Sequence, residues 1–478
     1  MHPMTWQLRR RVRREARANA RSRREAARDS SSTFLFRDCA APRRTVGTPT
    51  STFVLLPSPA PPIRLPERCP KAEGSYDRCV PLGVTLARLG SLRRRFGATR
   101  LGDTTRLDRT GIPTATAIVP AGNDLISVYS GKGTSAGAAY AGAVMEAVER
   151  QVAAGPNIPT FRSPLSDVLA QLDLHALGLR DDALGREIDC VWGTDLLTGR
   201  SLAVPLANVQ CPWFGTKLYD VTSTNGLASG NAFCEAAYHA LCELIERHVW
   251  ALHHTRSRLL PRVAFGPSAS DRSSALEVRL PAACASVDEL AQTLSRAGLA
   301  LRLFELDEGA LPHVMTASVY DPHLVPPLLH LGFGCSLSAE HAAVRAITEA
   351  VQCRVGDIQG AREDLLRPDD PSNGGIEHAR RPHALPAGAW FYDAPARDTI
   401  DFASLTDRST NDLAEDLRRA VESLRGIGVS AVVAVDLTPG ESDFSVVRTI
   451  VPELETLVVD GRFGKRTSQI LNPFLLVR

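Results

Sequence analysis

Residues 231–250 read NAFCEAAYHALCELIERHVW, and the spacing within this stretch sets the kind of molecule to expect. Phe233, Ala237, Leu241, Leu244 and Ile245 recur at helical intervals and form an apolar side. At about 100° per residue, Asn231, Glu235, His239, Glu243, Glu246 and Arg247 fall on one polar face about 160° wide. A helix with this pattern buries one side and presents carboxylates and an arginine on the other.

Two other stretches repeat the pattern. GKGTSAGAAYAGAVMEAVER, residues 131–150, predicts a helix over 136–153, with Thr134 and Ser135 as capping candidates. Ala141, Val144, Met145, Val148 and Val152 supply its apolar stripe, and Glu146, Glu149 and Arg150 lie beside that stripe. SAEHAAVRAITEAVQCR, residues 338–354, sets Arg345 and Glu349 four apart with Gln352 nearby. One Glu-x-x-Glu-Arg alone reads most simply as a solvated face, with pairs worth a few tenths of a kcal/mol. Recurrence on separate helices, each time beside an apolar stripe, favours convergence on one site. Converging carboxylates repel unless cations join them. Hard oxygen ligands suit Mg²⁺, and arginines among them suit phosphate oxygens, so a nucleoside triphosphate with magnesium satisfies both.

Two other readings fail on spacing. SGKGTS at residues 130–135 resembles a P-loop, but Gly133 follows Lys132 and no glycine stands five before it. A glycine turn feeding a helix could still cradle an anion, with Lys132 in contact. Glu235, His239 and Glu243 resemble a di-iron helix, yet the Glu-x-x-His repeats of such bundles are missing.

Further out, Ile112 to Val119 and Leu125 to Tyr129 read as strands ahead of the first acidic helix. DELAQTLSRAGLALRLFELD from Asp288 and DLAEDLRRAVESLRGIGVSAVVAVDLT from Asp412 each read as amphipathic helix, glycine and β-rich run, with a further strand-like run after each. They suggest a duplicated strand and helix unit over residues 281–330 and 405–460. Sheets packed with long helices make the class α/β or α+β.

A chain of 478 residues suits two or three packed units, and no run of 18 or more apolar residues predicts a membrane span. Only four lysines occur, Lys71, Lys132, Lys217 and Lys465, so arginine carries the positive charge behind a net +2. Ten arginines between Arg9 and Arg28, followed by Ser, Thr and Pro, mark residues 1–78 as a disordered extension, with order beginning near Cys79. An arginine arm of this kind could bind nucleic acid, but the bland reading is favoured. Ten scattered cysteines without CxxC indicate neither a zinc site nor a disulfide framework and suit a reducing cytoplasm.

The blocks LDRTGIP (107–113), GKGTSAGAAYAGAVMEAVER (131–150), NGLASGNAFCEAAYHALCELIER (225–247), GFGCSLSAEHAAVRAITEAVQCR (332–354) and VVRTIVPELE (446–455) together resemble the YcaO family in content and order. The resemblance covers roughly residues 80–478. It implies a YcaO-like fold, ATP and Mg²⁺ as cofactors, and activation of a peptide backbone amide by phosphorylation of its oxygen. Carried over by motif, Glu146, Glu149, Glu235, Glu243, Glu246 and Glu349 would serve the metal. Arg150, Asn231, His239, Arg247 and Arg345 would serve ATP, together with Lys132. Gly142, Ala228 and His239 depart from common family residues, which implies altered adenine or ribose contacts. No residue is singled out as the catalytic base.

The order LDRTGIP then GKG resembles the subgroup associated with a TfuA-type partner and thioamide formation in a ribosomally made peptide or protein. Azoline formation is the alternative, but the ending NPFLLVR lacks the proline-rich tail common in that group. A non-catalytic scaffold of a modification complex is the rival of another class. A peptide or protein substrate, a TfuA-like partner and a homodimer are the expected partners.

Overall fold

The strands sort into three sheets, and each of the three acidic helices packs on a strand that immediately precedes it. The structure is a computed structural model and describes residues 58–219, 223–266, 274–282, 284–324, 329–360, 398–457 and 462–475. The strands are β1 (Arg100–Asp103), β2 (Thr114–Ile118), β3 (Val128–Lys132), β4 (Phe161–Pro164), β5 (Glu187–Asp195), β6 (Ser201–Pro205), β7 (Leu227–Gly230), β8 (Leu276–Val278), β9 (Ala300–Glu305), β10 (His313–Tyr320), β11 (Leu329–Ser336), β12 (Asp398–Ile400), β13 (Val433–Asp436) and β14 (Ser445–Ile450). The main helices are α1 (Leu82–Arg95), α2 (Ala136–Ala154), α3 (Phe233–His254), α4 (Ala285–Arg296), α5 (Ala339–Gln359), α6 (Leu413–Gly426) and α7 (Lys465–Leu475).

One sheet runs β1-β2-β3, a second β11-β10-β9-β8-β12, and a third β4-β5-β13-β14-β7 with β6 beside β5. Pairing is antiparallel except between β8 and β12. This confirms the mixed α/β class. The alternating stretch before β3 is corrected: the strand starts at Val128, not Leu125, and runs through Ser130, Gly131 and Lys132. Leu125 is 69% exposed in the preceding turn, so its apolar character misled the pattern. Gly131 therefore lies in a strand, not in an anion-cradling turn.

Close strand-to-helix contact explains two of the glycines. A methyl group at Gly131 would overlap the Ala139 carbonyl and the Ala143 amide of α2. One at Gly332 would overlap the Ala346 carbonyl and the Ala350 amide of α5. Both helices have N-caps: Ser135 accepts from Ala138 N and Ser338 from His341 N. The segments after Asp288 and Asp412 both form a helix followed by an antiparallel strand pair, α4-β9-β10 and α6-β13-β14.

Part of the segment that composition assigns to the extension is built into this body. Cys69 and Asp77 are buried, Pro70 bridges Asp412, and Lys71 N donates to Asn411 O. Residues 1–57 lie outside the described residues. Among the described residues no helix is long and apolar enough to cross a membrane.

Candidate functional site

Three strand-turn-helix steps build the site: β3 into α2, β7 into α3, and β11 into α5. In each, a helix carboxylate accepts a hydrogen bond from a backbone amide in or just ahead of the strand. Ser130 N donates to Glu146 at 2.9 Å, Gly226 N to Glu243 at 3.0 Å, and Phe333 N to Glu349 at 3.3 Å. These bonds turn the acids away from random solvation and toward a common space.

The acids and bases then interlock between steps. Lys132 Nζ on β3 pairs with Glu349 Oε2 on α5. Arg247 reaches Glu246 at 3.4 Å and, more loosely, Glu243 at 3.9 Å. Burial pushes the Glu149 carboxyl well above its usual range, and Glu243 and Glu146 nearby push it further. Burial likewise raises Glu243, and raises Glu246 to about 7, where Arg247 opposes the rise and Glu349 adds to it. Glu349 is the exception. Burial would lift it too, but Lys132, with Arg247 and Arg345, holds it below the ordinary carboxylate value. Holding Glu149, Glu243 and Glu246 ionised is therefore costly, a cost that a divalent cation beside them would relieve.

Among the described residues no three acid, imidazole or thiol groups stand close enough to make a ready metal cluster. The donor set fits Mg²⁺ with a nucleotide: hard carboxylate oxygens, with Arg345 Nε buried and without a partner.

The other sequence-predicted residues occupy two flanks. Arg150 lies against Asp124, with Nε 2.8 Å from Oδ2 and Nη2 2.9 Å from Oδ1. Asn231 Nδ2 donates to Glu235 at 3.0 Å. Glu235, expected with the metal ligands, is two helical turns before Glu243 and is met by Arg78 Nη1 at 3.0 Å, Cys79 N at 3.0 Å and Cys79 Sγ at 3.1 Å. His239 stands between the Asp77 carbonyl, 3.1 Å from Nε2, and Arg345 Nη1, 3.4 Å from Nδ1. Burial, Arg78 and Arg345 hold its imidazole far below the usual range, so it is neutral.

Several residues at the site escape a reading of motifs. Arg78 touches Glu235, and Thr85 Oγ1 donates to Asn231 at 3.0 Å. Asp124 gives no signal, being one polar residue in a turn. Arg448 did carry one: a lone arginine inside the apolar run of β14 must find partners. Its Nε bonds Asn208 O at 2.9 Å and its Nη2 bonds Ser223 O at 2.7 Å, while Nη1 is buried without a partner. Burial pulls Arg448 below its usual range, with Glu243 and Glu149 among the charges opposing this.

Carboxylates on three helices, interleaved with arginines and a lysine, define a protein that binds a polyanion together with divalent cations. Residues 130–455 match the model of the YcaO family, described as a YcaO cyclodehydratase, ATP- and Mg²⁺-binding. The chain belongs to the YcaO family. It is similar to an uncharacterised protein of Methanothermobacter thermautotrophicus, 34% identical over 82% of this chain and 98% of that one. It is also similar to an uncharacterised protein in a tfuA 3' region of Rhizobium leguminosarum bv. trifolii, 31% identical over 80% of this chain and 89% of that one. Among solved structures, YcaO from Methanopyrus kandleri bound with AMPPCP and Mg²⁺ aligns with TM-score 0.61 and 25% identity, covering 81% of this chain and 95% of that one. A heterocyclase in complex with substrate and cofactor aligns with TM-score 0.64 and 19% identity, over 82% of this chain and 54% of that one, and shares the fold.

Proposed function

We propose that this chain uses ATP and Mg²⁺ to phosphorylate the backbone amide oxygen of a ribosomally made peptide or protein, most simply for thioamide formation. The observation that carries the reading is the set of acids with raised proton affinity on two helices, Glu149 with Arg150 beside it, Glu243 with Arg247, and Glu246 with Arg247 and Arg345. Glu146, Glu149, Glu243, Glu246 and Glu349 would hold Mg²⁺, with Glu235 at the far end of α3. Arg150, Asn231, His239, Arg247, Arg345 and Lys132 would hold the nucleotide, with Arg78 and Thr85 beside them. Bound Mg²⁺ would supply charge neutralisation on the phosphates during transfer. The chain's own groups bind and orient. Guanidinium groups fix phosphate oxygens, and the amide-bonded acids keep the cation sites open on one side.

The relative in a tfuA 3' region supports a TfuA-like partner and, with it, external sulfide as nucleophile. The alternative is azoline formation, where a side chain of the peptide attacks instead. Among the described residues nine cysteines are free, which supports a reducing, cytoplasmic setting.

Calorimetric titration of Mg²⁺ and ATP into the parent and a Glu246→Gln variant tests the nucleotide site. Binding by the parent and a loss of at least about tenfold in the variant is expected, near 1.4 kcal/mol. A folded parent that takes up no nucleotide, even with a peptide library added, would leave the scaffold reading standing. Mass spectrometry of a synthetic peptide library treated with chain, Mg²⁺, ATP and sulfide then separates the chemistries. Oxygen-to-sulfur exchange indicates thioamidation, and loss of water indicates an azoline.

A further inference from the structure

His341 stands one turn before Arg345 on the same face of α5. Its Nδ1 is 2.6 Å from Asp77 Oδ2. Asp77 is 2% exposed and is fixed from other sides by Ser336 Oγ at 2.8 Å and Lys71 Nζ at 2.7 Å. It is also the one non-glycine residue among the described residues with a positive φ, +41°, a backbone state that survives only where its surroundings impose it.

The ionised Asp77 carboxylate can only accept, so the network assigns the hydrogen to Nδ1 and leaves Nε2 with a lone pair. Among the described residues Nε2 has no hydrogen-bond partner, while the side chain is 11% exposed and the ring is stacked on Tyr76 with centroids 5.0 Å apart. A carboxylate that orients a neutral imidazole whose outer nitrogen is open is the arrangement of a general base. The groups around the ring are Tyr76, Asp77 and Arg78 on the N-terminal segment, Arg345 and Glu340 on α5, and His239 on α3. Lys71 lies behind Asp77. Burial, with Arg345 and Arg78, keeps the His341 imidazole below its usual range against the pull of Asp77, so it is unprotonated at neutral pH.

We propose that His341 Nε2, oriented by Asp77, is the proton acceptor of amide activation. This rests on the proposed function. An amide oxygen that takes a phosphoryl group held by Arg345 lies beside that guanidinium. Side chains four apart on a helix have Cβ atoms about 5–6 Å apart, so the carbon under attack is within reach of Nε2 through one small nucleophile.

With sulfide, one proton has to leave the nucleophile. Hydrosulfide adds to the carbonyl carbon, the carbonyl π pair becomes an oxyanion, and that oxygen takes the γ-phosphoryl group as ADP departs. The S–H bond then breaks and its proton passes to Nε2. The freed pair forms C=S, and the C–O bond breaks to release phosphate. For a side-chain nucleophile, the hydroxyl or thiol proton passes to Nε2 during the addition, the carbonyl oxygen takes the γ-phosphoryl group as ADP departs, and the nitrogen pair then forms C=N as the C–O bond breaks to release phosphate and the N–H proton is lost to solvent. His341 would touch the reacting group, whereas Asp77 is a positioning residue.

The experiment compares the full-length parent with His341→Gln, His341→Ala and Asp77→Asn. It follows ADP formation with Mg²⁺, ATP, sulfide and a synthetic peptide library, and labelling of His341 by diethyl pyrocarbonate read by mass spectrometry. Expected for His341→Gln are Mg²⁺ and ATP affinity within about threefold of the parent, a turnover loss of roughly 10²–10⁴-fold, and loss of the acid limb of the kcat profile. Added imidazole should restore part of the turnover in His341→Ala. Asp77→Asn should also be impaired, with the acid limb displaced and not abolished. In the parent, His341 should be labelled as a neutral imidazole. Turnover in His341→Gln close to the parent's, an unchanged acid limb, or a His341 that resists labelling in an active parent would overturn the base. A parent whose His341 is labelled but which forms no ADP with any peptide would sink the amide-activation reading instead.

Discussion

Glu246 shows what one residue's surroundings can do. Its carboxyl is raised from 4.5 to about 7, chiefly by burial. Below about 4.5 it is protonated whether the chain is folded or unfolded. Between 4.5 and 7 the unfolded chain releases the proton and the folded chain keeps it, so the stability of the ligand-free protein falls as pH rises through that window. Above 7 the penalty is constant. Thermal unfolding followed from pH 5 to 8 should show a falling Tm, and Mg²⁺ with ATP should raise Tm more at pH 8 than at pH 5. A ligand-free Tm that climbs steadily across the window would contradict the placement of this acid. Glu349 should not add to the fall, because Lys132 keeps it ionised. None of this separation between like residues is visible in the sequence, where both are simply glutamates on helices.

At the scale of the element, the recurring unit is a strand, a short turn and an acidic helix whose carboxylate returns to a strand amide. Ser130 to Glu146, Gly226 to Glu243 and Phe333 to Glu349 are separated by 16, 17 and 16 residues. Helical period and apolar stripes made the three helices legible. The strands before them were harder: β7 and β11 drew no strand reading, and β3 carries Ser-Gly-Lys, a composition that reads as a turn. Its glycine is demanded by the helix backbone lying on it. Gly131→Ala should therefore destabilise the protein by about 1–3 kcal/mol, through overlap with Ala139 and Ala143. Ser135→Ala, which removes only the cap of α2, should cost about 1 kcal/mol. Urea unfolding of the two variants checks both numbers, and equal losses would argue that the close approach is relieved by a shift of the helix.

For the whole molecule, the N-terminal segment completes a site otherwise built from the three helices. Asp77, Arg78 and Cys79 meet His341, His239 and Glu235, while Lys71 ties Asp77 to Asp416 of α6. Removal of residues 1–57 should leave nucleotide affinity unchanged within about twofold, whereas removal of residues 1–79 should reduce it by at least tenfold, about 1.4 kcal/mol. Calorimetry on both truncations decides this, and an unaffected shorter chain would mean that Arg78 does not serve the nucleotide site. By itself the sequence determined the mixed α/β class, the three acidic helices and their family, because hydrophobic period and motif spacing are local properties that survive without coordinates. Only the tertiary structure decided which acids hold their protons more tightly, which arginines are already paired, and that Asp77 and His341, 264 positions apart, are in contact. Charge balance and proton affinity depend on burial and on neighbours distant in the chain, and no spacing in the sequence records those.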